Sequence, residues 1–233
     1  MSEKLTFATK VIKFLGELEY NGSLPEGISI MNPFRSNPGI FPIISQFYHK
    51  YYNDNNKRYL ILGINPGRFG AGVTGIPFTD SKRLSEKCGF SIPGLNTFET
   101  SSVFIYEMID SFGGVEKFYN KFFISAVCPL GFTAVNNRGN SINYNYYDSK
   151  SLSEAVKDFI VECLFRQIEF GFEHDICFCL GTGKNYKYLL RLNSELKLFG
   201  RIIPLEHPRY IMQYKTRQKE SYIINYIEMF RNV

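Results

Sequence analysis

Four short apolar runs, at residues 59–64, 122–127, 176–180 and 201–205, constrain the fold of this chain more than any other feature. Their apolar character is continuous rather than alternating, which is the pattern of strands buried on both faces of a parallel sheet. Between and around them lie segments with apolar side chains at helical spacing. Residues 6–19 carry Phe7, Val11, Phe14, Leu15 and Leu18 in this way. Residues 153–170 carry Val156, Phe159, Ile160, Cys163, Leu164 and Gln167, with a capping-box-like start near Ser151 and Glu154. Further helices are predicted over 41–52, 104–112, 185–198 and 215–231. Residues 21–39, rich in Pro, Gly and Asn, are predicted as a loop or arm over the domain. Strands alternating with helices predict an α/β sandwich around a parallel sheet. The expectation is one domain over residues 1–233, with 1–55 as an N-terminal elaboration of helix and loop.

Counts of a few residue types narrow the function classes. The five cysteines (Cys88, Cys128, Cys163, Cys177, Cys179) have no framework spacing and no CxxC pair. They read as small buried hydrophobes in a reducing compartment, not as a zinc ribbon or an iron–sulfur cluster. The three histidines (His49, His174, His207) are far apart in sequence, so neither a metal site nor a cofactor is expected. No run approaches the ~18 apolar residues of a membrane span, and the first ten residues lack the apolar stretch of a secretory signal. A cytoplasmic monomer is expected. A net charge of +5 permits a nucleic-acid partner without demanding one.

Ligands of parallel α/β sheets bind at the carboxyl ends of the strands. The first run leads directly into GINPGRFGAGVTGIPFTD (63–80), where glycines allow close backbone approach and Asn65 stands at the strand end. Gly63, Gly67 and Gly70 do not have the GxGxxG spacing of a dinucleotide loop, and Gly183-Lys184 is followed by Asn185, so no Walker loop is present. The fourth run leads into His207. Alone, Asn65 reads equally well as a turn cap, and a lone His is more often structural. Two such residues leaving the ends of different strands point to one cleft.

These residues resemble the single-strand-selective monofunctional uracil-DNA glycosylases of the uracil-DNA glycosylase superfamily, as a divergent bacterial branch. The loop is similar to that family's first motif without a gap through Phe78. Cys128-Pro129-Leu130 resembles the segment after its second functional strand, and His207-Pro208 the start of its last motif, so the likeness spans about residues 55–230. The resemblance implies a three-layer α/β/α sandwich with a central four-stranded parallel sheet. It implies a monofunctional DNA glycosylase of base excision repair, whose partner is DNA carrying deaminated bases. The damaged nucleotide is flipped out and its N-glycosidic bond hydrolysed. By the same resemblance Asn65 positions the attacking water, and His207 donates a hydrogen bond to the base oxygen where negative charge grows. The Ile64 backbone N–H faces the pocket and Phe78 stacks on the base. Gly67 stands where uracil-only relatives carry a Tyr, leaving room at the pyrimidine 5-position.

Two departures from the family pattern matter. Ala126, preceded by Ser125, stands where the family has an Asn that reads the uracil edge, so a wider range admitting xanthine or hypoxanthine is expected, with Ser125 or Asn136 as substitutes. After His207-Pro208 the family wedge is replaced by Arg209, Tyr210, Ile211 and Met212. Arg209 is expected near the phosphate backbone, with Lys215, Arg217, Lys219, Arg68 and Lys82 as candidate phosphate contacts. The rival readings are a non-catalytic DNA- or nucleotide-binding member of the fold and an enzyme acting on free nucleosides.

Overall fold

Phe122 and Phe123, adjacent on one strand, divide the core between two faces of a sheet, because successive strand side chains point to opposite sides. Phe123 packs against Phe7 (ring centroids 5.2 Å apart) and Tyr52 (5.4 Å), on helices Phe7–Glu17 and Phe41–Tyr52. Phe122 packs against Phe112 (5.5 Å) and Phe230 (4.6 Å), on helices Thr100–Phe112 and Lys219–Arg231. The computed structural model that shows this describes residues 5–233, so the first four residues of the expected N-terminal elaboration lie outside the described residues.

The strands are β1 (Ile28–Met31), β2 (Arg58–Gly63), β3 (Phe122–Ala126), β4 (Gly131–Val135), β5 (Ser141–Tyr144), β6 (Phe172–Leu180) and β7 (Arg201–Leu205). Strands β3-β2-β6-β7 form, in that order, a four-stranded sheet paired in parallel throughout. Helices cover both faces, giving the three-layer α/β/α arrangement. All four apolar runs are strands of this sheet.

Arg58 anchors the amino end of β2. It is fully buried, with Nε donating to the Tyr119 carbonyl (2.8 Å) and the guanidinium fork donating to both Asp54 carboxylate oxygens (2.9 and 2.8 Å). Phe7 and Tyr52 lie 4.9 and 4.8 Å from the guanidinium carbon. Burial pushes the Asp54 carboxyl up, but the Arg58 hydrogen bonds and charge and the Asn56 N–H outweigh it and hold the group below its ordinary value.

Three parts of the sequence reading are corrected. Residues 21–39 are not a plain loop: they contain β1, a helical turn at Pro33–Ser36 and a 3-10 turn at Pro38–Ile40. Strand β1 pairs antiparallel with β4, and β4 with β5, in a second sheet. The β1–β4 pairing joins residues about a hundred positions apart and leaves no local periodicity. The helix predicted over 215–231 is a helix Pro208–Tyr214, a 3-10 turn Thr216–Gln218 and a helix Lys219–Arg231, because His207 and Pro208 start a helix early and Lys215 ends it. The segment 153–170 starts earlier and is interrupted at Val156: Ser149, not Ser151, caps helix Lys150–Ala155, with helix Lys157–Ile168 following.

All five cysteines are free and buried, and burial pushes each thiol above its ordinary value, Cys128 and Cys179 to about 12. Among the described residues no helix is long and apolar enough to cross a membrane.

Replacing Arg58 by Met would leave the Tyr119 and Tyr51 carbonyls without their buried donors. We expect Arg58→Met to lower the unfolding free energy by about 3 kcal/mol or more, read from urea titration. The Asp54 carboxyl is depressed in the fold, so the pair's contribution is present above the ordinary carboxyl value of 3.8 and fades as pH falls through the lower folded value. The difference between wild type and Arg58→Met should therefore shrink below pH 4, and a constant difference down to pH 2 would rule out the ion pair as its source.

Candidate active site

A cavity of about 280 Å³ opens at the carboxyl ends of β2, β3 and β7. Of the sequence-predicted residues, Ile64, Asn65, Gly67, Phe78, Ser125, Ala126, His207 and Arg209 all line it. Lys215 does not: it terminates helix Pro208–Tyr214, outside the cavity wall. The cavity continues inward past Ser125 and Phe123 to Val11, Phe14 and Leu15 of the first helix. The N-terminal region is therefore part of the site's wall as well as a cover for the sheet.

The loop after β2 is held by the second sheet. Asn65 Nδ2 donates to the Tyr144 carbonyl (3.2 Å), and its Oδ1 accepts from the Tyr146 N–H (3.1 Å). The Arg68 N–H donates to Asn143 Oδ1 (2.9 Å) and the Arg68 guanidinium to the Ser141 carbonyl. Gly131 on β4 is approached so closely that a Cβ there would lie 2.5 Å from the Pro66 carbonyl oxygen, which only glycine tolerates. Asn65 Nδ2 also donates to the Pro66 carbonyl (3.4 Å), so these contacts fix the amide and leave one Oδ1 lone pair for a ligand.

A buried side chain behind the loop joins three of its supports. Asn185, 1% exposed, donates to the Leu180 carbonyl at the end of β6 (3.0 Å) and to the Gly63 carbonyl at the end of β2 (3.4 Å). Its Oδ1 accepts from the hydroxyl of buried Tyr146 (2.8 Å), the same residue whose N–H holds Asn65.

Phe78 is one of two non-glycine residues with positive φ (52°) among the described residues. Such strain persists only where the surroundings over-determine it, and it gathers at functional sites. The Phe78 ring lies against Gly63, where a Cβ would meet it at 2.8 Å, and 5.7 Å from the His207 ring. His207 caps helix Pro208–Tyr214: its Nδ1 accepts the Arg209 N–H (3.1 Å). A neutral ring with Nδ1 accepting carries its proton on Nε2. Burial, with the Arg209 charge adding to it, lowers the His207 pKa to about 3, so the ring is a neutral donor at neutral pH.

Three expectations change. The space over Gly67 is not open. A Cβ there would lie 2.6 Å from Oε1 of Glu99, whose other carboxylate oxygen lies over Gly70, and Glu99 lines the cavity. Asn136 is not available to read a base, because its Oδ1 accepts the Arg138 and Asn140 N–H groups (2.9 and 3.0 Å) of the β4–β5 turn. Ile211 is fully buried and is no wedge; Tyr210 and Tyr214, with rings 5.5 Å apart, stand exposed at the cavity mouth. Of the candidate phosphate contacts, Lys219 is paired with Glu107 (2.6 Å) and Lys82 with Glu86 (3.8 Å).

Sequence reasoning missed Glu99, Asn143 and Gln167. Gln167, fully buried, accepts a hydrogen bond from Ser125 Oγ on its Oε1, while its Nε2 has no partner. A Gln within an otherwise apolar helical stripe was the available signal. Glu99 and Asn143 carried none, being brought in by Asp80, which accepts the Glu99 N–H (2.8 Å), and by the second sheet. Among the described residues no group of three or more His, Cys, Asp or Glu gathers as a metal site.

The family model described as the uracil DNA glycosylase superfamily matches residues 49–231. The chain belongs to this superfamily. It is thus a DNA glycosylase. A search of curated proteins finds no match. Among solved structures, the crystal structure of wild-type Pedobacter heparinus SMUG2 is 57% identical, covers 98% of both chains and has a TM-score of 0.95.

Removing the Asn185 amide strands the Tyr146 hydroxyl and frees the end of β2. Asn185→Ala should lower the unfolding free energy by about 2–4 kcal/mol, since unmet buried groups cost about 1–3 kcal/mol each. It should also slow single-turnover excision at a temperature where the variant is folded. Full wild-type excision in the folded variant would show that Asn65 does not depend on this support.

Proposed function

We propose that this glycosylase excises uracil, hypoxanthine and xanthine from DNA by flipping the base into the cavity. The observation that carries the reading is the convergence of Asn65, Phe78 and His207 on one cavity at the strand ends. The flipped base stacks on Phe78. His207 Nε2–H donates to the base oxygen that gains charge as the C1′–N bond breaks, an interaction strongest in the transition state. Asn65 orients the water that adds to C1′; an amide takes no proton, so its role is positioning.

The Ser125–Gln167 pair supports the base range. Because Ser125 donates to Gln167, its lone pairs are left to accept a hydrogen bond from the base. Uracil, hypoxanthine and xanthine all present an imino N–H on their pairing edge. Cytosine and adenine present a bare nitrogen there, which a hydroxyl acceptor rejects. Ala126, in place of an amide, removes the group that would demand a pyrimidine. Tyr210 and Tyr214 fit the place of a wedge in the vacated stack, with Arg209, Lys215 and Arg217 near the phosphates.

Duplexes carrying uracil, hypoxanthine or xanthine, incubated with the protein and then treated with alkali, should break at the modified base. Intact strands with all three would overturn the reading. Asn65→Ala and His207→Ala should each slow single-turnover excision by about a hundredfold. Because His207 stays neutral far below pH 7, uracil excision should not lose its donor between pH 5 and 9. Ala126→Asn should raise the uracil-to-hypoxanthine rate ratio by about tenfold, the worth of one good hydrogen bond. An unmoved ratio would take Ala126 out of the recognition position.

A further inference from the structure

Glu99 is the acidic side chain of the cavity wall, and nothing in the mechanism above uses it. Its carboxylate lies across the faces of Gly67 and Gly70, filling space that any side chain there would need. Among the described residues it has no hydrogen-bond donor within the protein. Its backbone is fixed from below: Asp80, fully buried, accepts the Glu99 N–H (2.8 Å) and pairs with Arg83 (3.1 Å). A carboxyl held rigidly by its main chain, with its head turned to a cavity and unpartnered, is placed for a ligand.

The ligand atom follows from base geometry, resting on the proposed base-flipping reading, with Gly67 facing the 5-position of a pyrimidine as the family resemblance implies. When a purine replaces a pyrimidine on the same sugar, N7 takes the place of C5 relative to the glycosidic bond. Glu99 therefore stands against C5–H of uracil and against N7 of hypoxanthine or xanthine. We propose that Glu99 is a general acid specific to purine substrates, delivering its proton to N7 of the flipped base.

The step balances. The C1′–N9 bond breaks with its electron pair going to the base, and the Glu99 carboxyl proton forms the N7–H bond, so the purine leaves neutral. The Asn65-oriented water adds to C1′ and releases one proton to solvent, from which Glu99 is recharged. Uracil offers no basic atom at C5 and leaves as an anion stabilised by His207, so the acid does not serve it.

The electrostatics agree with this role. Burial raises the Glu99 pKa to about 7, opposed by the positive charge of Arg209 and assisted by the negative charge of Asp80. Asp80 is itself paired with Arg83. The remaining titratable groups on the cavity wall are Tyr48, Tyr147, His207, Tyr210 and Tyr214, and burial keeps Tyr48, Tyr147 and His207 neutral at this pH. A substantial fraction of Glu99 is thus protonated at neutral pH, and that fraction falls as pH rises.

The test compares hypoxanthine and uracil in otherwise identical duplexes, under single-turnover conditions from pH 5.5 to 9, with wild type and Glu99→Gln. For wild type, the hypoxanthine-to-uracil rate ratio should fall as pH rises through about 7. Glu99→Gln should lower hypoxanthine excision about a hundredfold more than uracil excision, within the range for general acids, and should abolish the pH dependence of the ratio. Uracil excision by the variant reports that it is folded. If the variant excises neither base, the pH dependence of the wild-type ratio decides. A ratio independent of pH in wild type, equal slowing of both bases by Glu99→Gln, or wild type that excises uracil and no purine would each overturn the general acid. Wild type that excises neither base would overturn the proposed function itself.

Discussion

The site depends on one buried amide. Asn185 ties the carboxyl ends of β2 and β6 to the Tyr146 hydroxyl, and Tyr146 in turn holds Asn65 by its backbone. In the low-dielectric interior such a network is rigid when fully satisfied and costly when one member is lost. Two sheets that share no strand are thereby locked in register at the point where Asn65 leaves its strand. A freely rotating Asn65 would have to be ordered during each reaction; here the order is present before substrate arrives.

The electrostatic design of the cavity is restrained. In the proposed mechanism its oxygen-facing donor is the His207 imidazole, kept neutral by burial and by Arg209, and its Ser125 hydroxyl is oriented by a neutral amide. A full positive charge at His207 would bind anions indiscriminately; a neutral donor aimed at one atom favours the charge that develops during bond cleavage. The mild net charge of +5 accords with this. Several surface cations are already paired, such as Lys82 and Lys219.

The parallel sheet was legible because buried parallel strands are continuous apolar runs, and the runs ending at Gly63 and Leu205 led to Asn65 and His207 without a gap. The second sheet was not legible. Its strands are four or five residues long and largely exposed or half-buried, and β1 pairs with β4 across about a hundred residues, so neither length nor alternation marked β1, β4 and β5. That failure propagated into the site. Gly67 read as empty space because Glu99, thirty-two positions on, enters the cavity through a turn anchored on Asp80. Asn136 read as a candidate amide because its role in the β4–β5 turn depends on a hairpin that was not foreseen.

The buried cysteines bear on when such an enzyme has to work. Nitrosating agents deaminate bases, and the same agents attack proteins at thiolates. In this chain all five thiols are enclosed and held protonated far above neutral pH. Agents that deaminate bases thus find no ready thiolate on this chain.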